Sequence, residues 1–245
     1  MKSISLIFVS LVLTVGLGLS HAQELGELNT GSVVRLLNCS IDGDYTYDQV
    51  VERARALDWG ENSPSGVFFR RPIYTTAEYQ SNNDLQIAAY YTSFTEMVDK
   101  RVAMGANAGG RLPITCGAPS VVRTYAVQPG TPFGDATAMT TRFCSLNEGA
   151  SLLSAYSRIM QVAGNYASEG DESLVQMNIP ALGGPMNPDW DFVIAVVGSS
   201  RQGLTDRLDM RRNGFRAEVG NQSSSSFSCN RSSLWGTARI YSANN

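Results

Sequence analysis

The amino-acid sequence predicts an α+β protein built from two copies of one βαββαβ unit. The first observation is a repeated stretch: Leu37–Gly43 and Arg142–Gly149 each lead through Cys-Ser and an aliphatic residue into a polar turn that ends in glycine. The second is that four strand patterns and two helix patterns follow in the same order in both copies. The third is that the four cysteines occupy equivalent places: Cys39 with Cys144, and Cys116 with Cys229.

Residues 1–22 are predicted to be a secretory signal peptide. Lys2 supplies a positive start, an uncharged apolar run extends from Ile4 to Leu19, and Ala22 is a small residue at the cleavage position. A membrane anchor is the alternative, but the run is shorter than the roughly 20 apolar residues that span a bilayer, and no charge follows to stop it. We therefore expect an exported protein, periplasmic or extracellular, whose mature chain has no membrane span.

Residues 23–31 form a polar tail, and the first unit covers residues 32–128. Its helices are predicted from apolar residues at helical spacing after Thr46, which with Gln49 has the sequence of a capping box, and again from Phe94. Its strand patterns are runs rich in aliphatic and aromatic residues, at Ser32–Cys39, Gly66–Pro72, Leu85–Tyr91 and Val121–Val127.

The Pro- and Gly-containing residues 129–136 are the predicted linker, and the second unit covers residues 137–245. One helix is predicted after Ser151, and the next aligns with the last helix of the first unit so that Arg207 meets Arg101. An arginine that recurs at one helix position predicts a structural role, as an ion pair with a turn carboxylate or as a cap on carbonyl groups. The strand patterns lie at Met139–Leu146, Leu174–Pro180, Asp189–Val197 and Leu234–Tyr241, and the third matches Asp84–Thr92 without a gap.

The order βαββαβ with right-handed crossovers gives a ferredoxin-like sheet, with strands arranged 4-1-3-2 and helices on one face. The fourth strand then lies antiparallel beside the first, so the end of the first meets the start of the fourth. Each unit places its two cysteines at these positions, and structural disulfides are the default in an exported chain. The sequence therefore predicts the disulfides Cys39–Cys116 and Cys144–Cys229.

One strand of the second unit, Phe192–Val197, is apolar on both faces, as in a sheet that is covered twice. The natural second cover is the sheet of the other unit. Two such sheets packed face to face resemble the dimeric α+β barrel superfamily, here with both units fused in one chain. The Cys-Ser start of each unit and the Asp-Trp-Asp-Phe sequence at 189–192 also resemble uncharacterised exported proteins of marine bacteria. The superfamily resemblance implies the fold and permits a cofactor-independent monooxygenase or isomerase whose substrate lies between sheet and helices.

The residue content excludes several kinds of chemistry. The single histidine, His21, is removed with the signal peptide, which leaves none for Ser-His-Asp or Cys-His catalysis or for His-ligated zinc and haem sites. Asp42, Asp44 and Asp48 resemble the start of a calcium loop, but Arg53 stands where that loop needs its bidentate Glu. A formal net charge of -3 without basic runs argues against nucleic acid as a partner. We therefore expect no metal, no cofactor and no nucleic-acid partner.

Candidate binding residues come from places where the two copies differ. In the second strand Arg71 aligns with Ile179, and in the third strand Tyr91 aligns with Val196. An arginine at an interior position needs an anion or a carboxylate partner. Arg71 and Tyr91 are therefore candidate ligand-binding residues for an acidic or aromatic small molecule. The competing and preferred interpretation is that Arg71, which precedes Pro72 at a strand end, reaches water.

The function that best fits these patterns is non-catalytic binding of a small ligand or a partner protein by an exported, disulfide-stabilised barrel. A cofactor-independent enzyme of the superfamily is the first alternative, and the lack of histidine weighs against it. An envelope structural protein is the second, for which the Asn/Ser-rich residues 221–226 give slight support. A pocket lined by Arg71 and Tyr91 favours a binding protein or an enzyme, whereas a filled barrel favours a partner-binding or structural role.

Overall fold

The computed structural model describes residues 31–75, 83–104, 112–131, 134–184, 189–212 and 226–243. The predicted signal peptide and nearly all of the Asn/Ser-rich segment therefore lie outside the described residues. Within the described ranges, no helix is long and apolar enough to cross a bilayer.

The first half of the chain follows the predicted βαββαβ order. Its elements among the described residues are β1 (Ser32–Ile41), α1 (Tyr47–Arg55), β2 (Gly66–Tyr74), β3 (Leu85–Tyr91), α2 (Phe94–Met104), β4 (Ile114–Cys116) and β5 (Ser120–Gln128). The predicted capping box at the start of α1 is confirmed. The Thr46 side chain accepts from the Gln49 backbone N–H, and the Gln49 side chain accepts from the Thr46 backbone N–H.

The second half repeats this order of elements. They are β6 (Ala136–Leu146), α3 (Leu152–Ser168), β7 (Leu174–Gly183), β8 (Phe192–Val197), α4 (Arg201–Arg212), β9 (Phe227–Cys229) and β10 (Ser233–Ser242). Ser151 caps α3 as predicted, because its hydroxyl accepts from the Ser154 backbone N–H at 3.1 Å. The sequence patterns missed β4 and β9, since three residues are too few to show a period.

The strands form one closed antiparallel sheet. Its order is β10-β2-β3-β1-β5-β7-β8-β6, and pairing of β6 with β10 closes it into an eight-stranded barrel. Within each half the long strands take the predicted order, β5-β1-β3-β2 in the first and β10-β6-β8-β7 in the second. The α+β fold and the barrel are therefore confirmed.

The junctions between the halves differ from the expected face-to-face layers. Backbone hydrogen bonds join β2 to β10 and β5 to β7, so the two sheets are continuous at both edges. An open edge leaves a row of backbone N–H and C=O groups without partners. Pairing each edge with the other half removes both open edges, which separate layers would leave in place.

Alternation along the strands divides the residues between an outer face under the helices and an inner face. On the outer face of the first half, α1 packs on a core that includes Val33, Phe69 and Leu85. The second half has a matching outer core beneath α3, built around Met177 and Phe192. One end of the barrel interior is filled by the buried side chains of Met139, Ala195, Val197 and Trp235.

Both disulfides lie at the opposite end of the barrel. Cys39 bonds Cys116 and Cys144 bonds Cys229, the pairing expected from the sequence. Each bond links directly opposed residues, of β1 with β4 and of β6 with β9. The second cysteine of each half thus lies in a short strand that precedes the long fourth strand.

The alignment of the third strands needs a correction of two residues. The carboxylate of Asp84 accepts from the backbone N–H of Ile41 at 2.7 Å, and Asp191 accepts from Leu146 at the same distance. Asp191, and not Asp189, therefore corresponds to Asp84. Because side chains alternate with a period of two, this shift left the predicted face of every residue unchanged.

The structural role expected of Arg207 is confirmed. Its guanidinium forms an ion pair with Asp171, in the turn between α3 and β7, and lies 4.1 Å from the centre of the Tyr166 ring. Arg101, at the corresponding helix position, forms no salt bridge with any residue that the structure describes.

Candidate functional site

The open end of the barrel contains a cavity of about 560 Å³ between the inner faces of the strands. It lies where β1, β2, β6 and β7 end, on the side of the disulfides. Its apolar wall includes Val34, Leu36, Val122, Phe143, Trp190 and Val193. Its polar wall includes Asn38, Arg70, Gln86, Tyr90 and Asn178. The volume is within the range of about 300–1,000 Å³ that is usual for small-molecule sites.

Arg70 is the cation of this cavity. Its neighbours on β2, Phe69 and Arg71, point outward, so strand alternation directs the Arg70 side chain into the barrel. Only 9% of the residue is exposed. The guanidinium donates from Nη1 to Oε1 of Gln86 and from Nη2 to the phenol oxygen of Tyr90, each at 3.0 Å.

Arg70 is the first of a row of hydrogen-bonded side chains that crosses three neighbouring strands. Arg70 is opposite Gln86 on β3, and Gln86 is opposite Asn38 on β1. An arginine only donates, so the carbonyl oxygen of Gln86 must face it and the Gln86 amide nitrogen must face away. That nitrogen donates to Oδ1 of Asn38 at 3.1 Å, which leaves the Asn38 NH₂ group at the end of the row.

The charge of Arg70 is not balanced by a carboxylate within the described residues. No salt bridge to Arg70 is formed there, and its Nε is buried without a hydrogen-bond partner. A guanidinium has five N–H groups, and the two bonds above use one on each terminal nitrogen. Burial of a cation without a counter-charge is unfavourable, so this arrangement is incomplete by itself.

A second polar group lies diametrically opposite, on β7. The Thr124 hydroxyl donates to Oδ1 of Asn178 at 2.6 Å, and the two residues are paired across the junction of β5 and β7. Because Oδ1 accepts this bond, the NH₂ group of Asn178 is the part that remains to donate. Asn178 therefore presents a donor to the cavity, as Asn38 does.

The mouth of the cavity is partly aromatic. The rings of Phe143 and Trp190 lie 4.8 Å apart, centre to centre. Beside them, the backbone carbonyl of Asp189 accepts from the Ser145 hydroxyl at 2.7 Å. The exposed Asp189 and the buried Arg70 are the charged residues among the described lining.

The predicted binding residues Arg71 and Tyr91 are not brought together. Both point to the outer face, and the strand register places them about six residues apart along β2 and β3. Tyr91 is 2% exposed, and burial raises the pKa of its phenol. Arg71 is exposed, 5.5 Å from the centre of the Tyr47 ring, and lines an outer groove between α1 and α4. The residues that enter the barrel are their neighbours, Arg70 and Tyr90.

A second cavity, of about 380 Å³, lies between the helices and the sheet of the second half. Its wall includes Tyr166, Ile194 and Arg142. Arg207 also reaches it, with its charge already balanced by Asp171. This cavity has the location that the superfamily resemblance implies for a substrate.

No protein-family model and no curated protein matches the sequence. Among solved structures, the putative monooxygenase of Fusobacterium nucleatum subsp. nucleatum is similar, with a TM-score of 0.51, 6% identity, and coverage of 86% of this chain and 93% of that one. The putative monooxygenase of Lactobacillus acidophilus gives a TM-score of 0.49, 6% identity, and 86% and 95% coverage. Chlorite dismutase from Candidatus Nitrospira defluvii, in complex with imidazole, gives a TM-score of 0.48 and 10% identity, with coverage of 89% of this chain and 94% of that one. These proteins belong to the dimeric α+β barrel superfamily, and the first comparison shows that this chain shares its fold.

Proposed function

We propose that this chain is an exported, disulfide-stabilised tandem of two ferredoxin-like units that binds a small molecule inside its barrel. The observation that carries the proposal is the contrast between the two ends of the barrel interior. One end is packed with Met139, Trp235 and their neighbours, whereas the other holds a cavity of about 560 Å³. Because protein interiors are otherwise close-packed, an interior space of this size is best explained as a binding site for another molecule.

The wall chemistry supports a small-molecule occupant. Apolar side chains such as Val122 and Val193 cover part of the wall, and the polar side chains of Arg70, Gln86 and Tyr90 converge at another part of it. This combination of an apolar surface and a few placed polar groups is typical of ligand sites. The position of the mouth also supports the proposal, since the disulfides next to it stabilise the strand ends that form it.

The test is to identify small molecules that co-purify with the protein from its native compartment, by mass spectrometry after denaturation. Val122→Phe places a larger side chain on the inner face of β5, where Val122 lines the cavity. Val102→Phe is the matched control, because Val102 is 76% exposed on α2. We expect the native protein and Val102→Phe to release the same compound, and Val122→Phe to release several-fold less.

Equal release from all three proteins would exclude the barrel interior as the site. Circular dichroism and thermal unfolding of Val122→Phe establish that any loss of ligand occurs in a folded protein. Should Val122→Phe prove unfolded, Val193→Phe on β8 provides a second route to the same comparison, since Val193 also lines the cavity.

A cofactor-independent enzyme is the second candidate, favoured by the fold shared with the putative monooxygenase of Fusobacterium nucleatum. Its substrate would occupy the cavity between helices and sheet in the second half, near Tyr166 and Arg142. The test is oxygen uptake with a panel of phenols and hydroquinones, comparing the native protein with Ile194→Trp, which fills that cavity. Uptake that depends on the native Ile194 supports the enzyme, and no uptake above buffer excludes a monooxygenase acting on those compounds.

A further inference from the structure

The hydrogen bonds that line the barrel cavity run in one direction. Arg70 donates to Gln86, and Gln86 donates to Asn38, so each carbonyl oxygen in the row is used by the preceding donor. The row ends at the NH₂ group of Asn38, which lines the cavity. This side of the cavity therefore offers hydrogen-bond donors, and each of its amide oxygens already accepts one hydrogen bond.

Tyr90 follows the same rule. Its phenol oxygen accepts from Nη2 of Arg70, so its own O–H proton is directed elsewhere. Phe68 packs against the Tyr90 ring edge to face, with the ring centres 5.4 Å apart, and holds the ring in place. Tyr90 thus adds an O–H donor beside the guanidinium.

The opposite wall has the same polarity. Thr124 donates to the Asn178 oxygen, which leaves the Asn178 NH₂ group to face the cavity. Donors therefore converge from β2, β3 and β1 on one side and from β7 on the other. A ligand that satisfies them must supply acceptor oxygens, and the charge of Arg70 favours an anionic one.

We infer that the ligand is a carboxylate, or a similar oxyanion, attached to an apolar body. The anionic group is placed on the Arg70 side, where the guanidinium keeps N–H groups that no described residue uses. The apolar body is placed against Val34, Val122 and Val193, and near the Phe143–Trp190 pair. This inference rests on the proposed binding function and adds the chemical class of the ligand.

We expect the ligand to carry one negative charge. Arg70 is the single cation in the described lining, and the exposed Asp189 at the mouth disfavours a second anionic group nearby. The cavity volume of about 560 Å³ leaves room for more than an inorganic anion. A compound with one carboxylate and an apolar remainder matches both features.

The test compares three carboxylates with their neutral primary amides: benzoate, 2-naphthoate and octanoate against benzamide, 2-naphthamide and octanamide. Isothermal titration calorimetry at neutral pH measures each Kd with the native, disulfide-bonded protein. We expect at least one carboxylate to bind about 10- to 100-fold more tightly than its amide, as charge-assisted hydrogen bonds to a buried guanidinium imply. Acetate, which lacks the apolar body, is expected to bind at least about 10-fold more weakly than that carboxylate.

Two variants of Arg70 test whether this residue causes the preference for a carboxylate over its amide. Arg70→Gln removes the cation and is expected to reduce the ratio of carboxylate affinity to amide affinity to about one. Arg70→Lys keeps a positive charge and is expected to retain part of the preference for the carboxylate. Arg71→Gln is the matched control, one residue along the same strand but exposed on the outer face, and should leave the ratio unchanged.

The outcomes separate the inference from the function on which it rests. Equal affinities for each carboxylate and its amide on the native protein would overturn the ligand class and leave the binding function standing. No binding of any of the six compounds would overturn both. If acetate bound as tightly as the larger carboxylates, the site would be one for small anions. That result would overturn the inference that the ligand has an apolar body. Because these comparisons use the native protein, they decide the inference even if Arg70→Gln fails to fold.

Discussion

Arg207 and Asp171 form a buried ion pair that joins α4 to the turn between α3 and β7. Their side chains are 8% and 2% exposed, so both charges are removed from water. Asp171 also accepts from the Ser173 hydroxyl at 2.6 Å, which fixes its orientation in the turn. A buried charge depends on its partner for compensation, and removing one partner leaves the other in an unfavourable environment.

Asp171→Ala is therefore expected to lower the free energy of unfolding by about 3–5 kcal/mol, the usual cost of breaking a buried pair. The measurement is urea-induced unfolding followed by circular dichroism. Glu172→Ala is the control, because Glu172 is the next residue and its side chain is exposed. A loss below about 1 kcal/mol for Asp171→Ala, as for a surface pair, would contradict the structural role assigned to Arg207.

The disulfide Cys39–Cys116 closes a loop of 77 residues. Removing it with the double variant Cys39→Ala/Cys116→Ala is expected to cost about 4 kcal/mol of stability, because the unfolded chain regains the entropy of that loop. Chemical unfolding measures the loss. Peptide mapping under non-reducing conditions tests the pairing separately, and a peptide joining Cys39 to Cys144 would contradict the topology.

The carboxylate of Glu96 accepts several hydrogen bonds at the start of α2. Burial by itself raises the pKa of its carboxyl, but bonds from Lys100 and from the side chain and backbone of Thr92 outweigh this and lower the pKa to about 2. The Lys100 nitrogen is 2.6 Å from the carboxylate, and the Thr92 backbone nitrogen is 2.5 Å away. The pKa in the folded protein therefore lies below the ordinary value of 4.5.

A lowered pKa in the folded state stabilises the protein above the unfolded pKa, and this stabilisation is lost as the pH falls toward the folded value. The Glu96 contribution is thus complete above about pH 5 and declines between about pH 5 and pH 2. We expect Glu96→Gln to be less stable than the native protein at pH 7, with the difference shrinking toward pH 2. Unfolding in urea at several pH values measures it, with the exposed Glu52→Gln as control. A difference that stays constant with pH would refute the assignment.

Gly130, in the linker, lies against the backbone of Leu174 at the start of β7. A Cβ atom at this position would be 2.7 Å from the Leu174 Cα, too close for the backbone to accept. Gly130→Ala is expected to destabilise the protein by about 1–3 kcal/mol, as overpacking does. Gly134→Ala serves as the control, since nothing lies within 4 Å of a Cβ there. Equal thermal midpoints for the two variants would show that the linker can move away from β7.

The success of the disulfide prediction has a topological reason. A βαββαβ unit with right-handed crossovers has few possible strand orders, and the long strands among the described residues follow the expected one. The end of β1 then meets the chain just before β5, which brings Cys39 opposite Cys116. The error of two residues in aligning Asp84 had no consequence for the faces, because two is the period of a strand.

The sequence comparison selected Arg71 and Tyr91, whereas the side chains that line the barrel cavity belong to Arg70 and Tyr90, one residue earlier on each strand. Arg71 and its aligned residue Ile179 both lie on the outer face, where Ile179 packs near α3 but Arg71 is exposed. Arg70 did not stand out in the comparison of the two halves, because the aligned residue, Asn178, is also polar. Two consecutive arginines look alike in sequence, and nothing local indicates which of them enters the barrel.

The sequence by itself determined the order of the elements, the two capped helices and the expected partners of the four cysteines, because these depend on periodicity and on chain topology. Only the tertiary structure decided that the edges of the halves pair into one closed sheet. It also decided that Arg70 and Tyr90, rather than Arg71 and Tyr91, face the cavity. The physical reason is that alternation divides each strand into two faces, while the packing of distant helices and strands assigns one face to the barrel interior and the other to the helices.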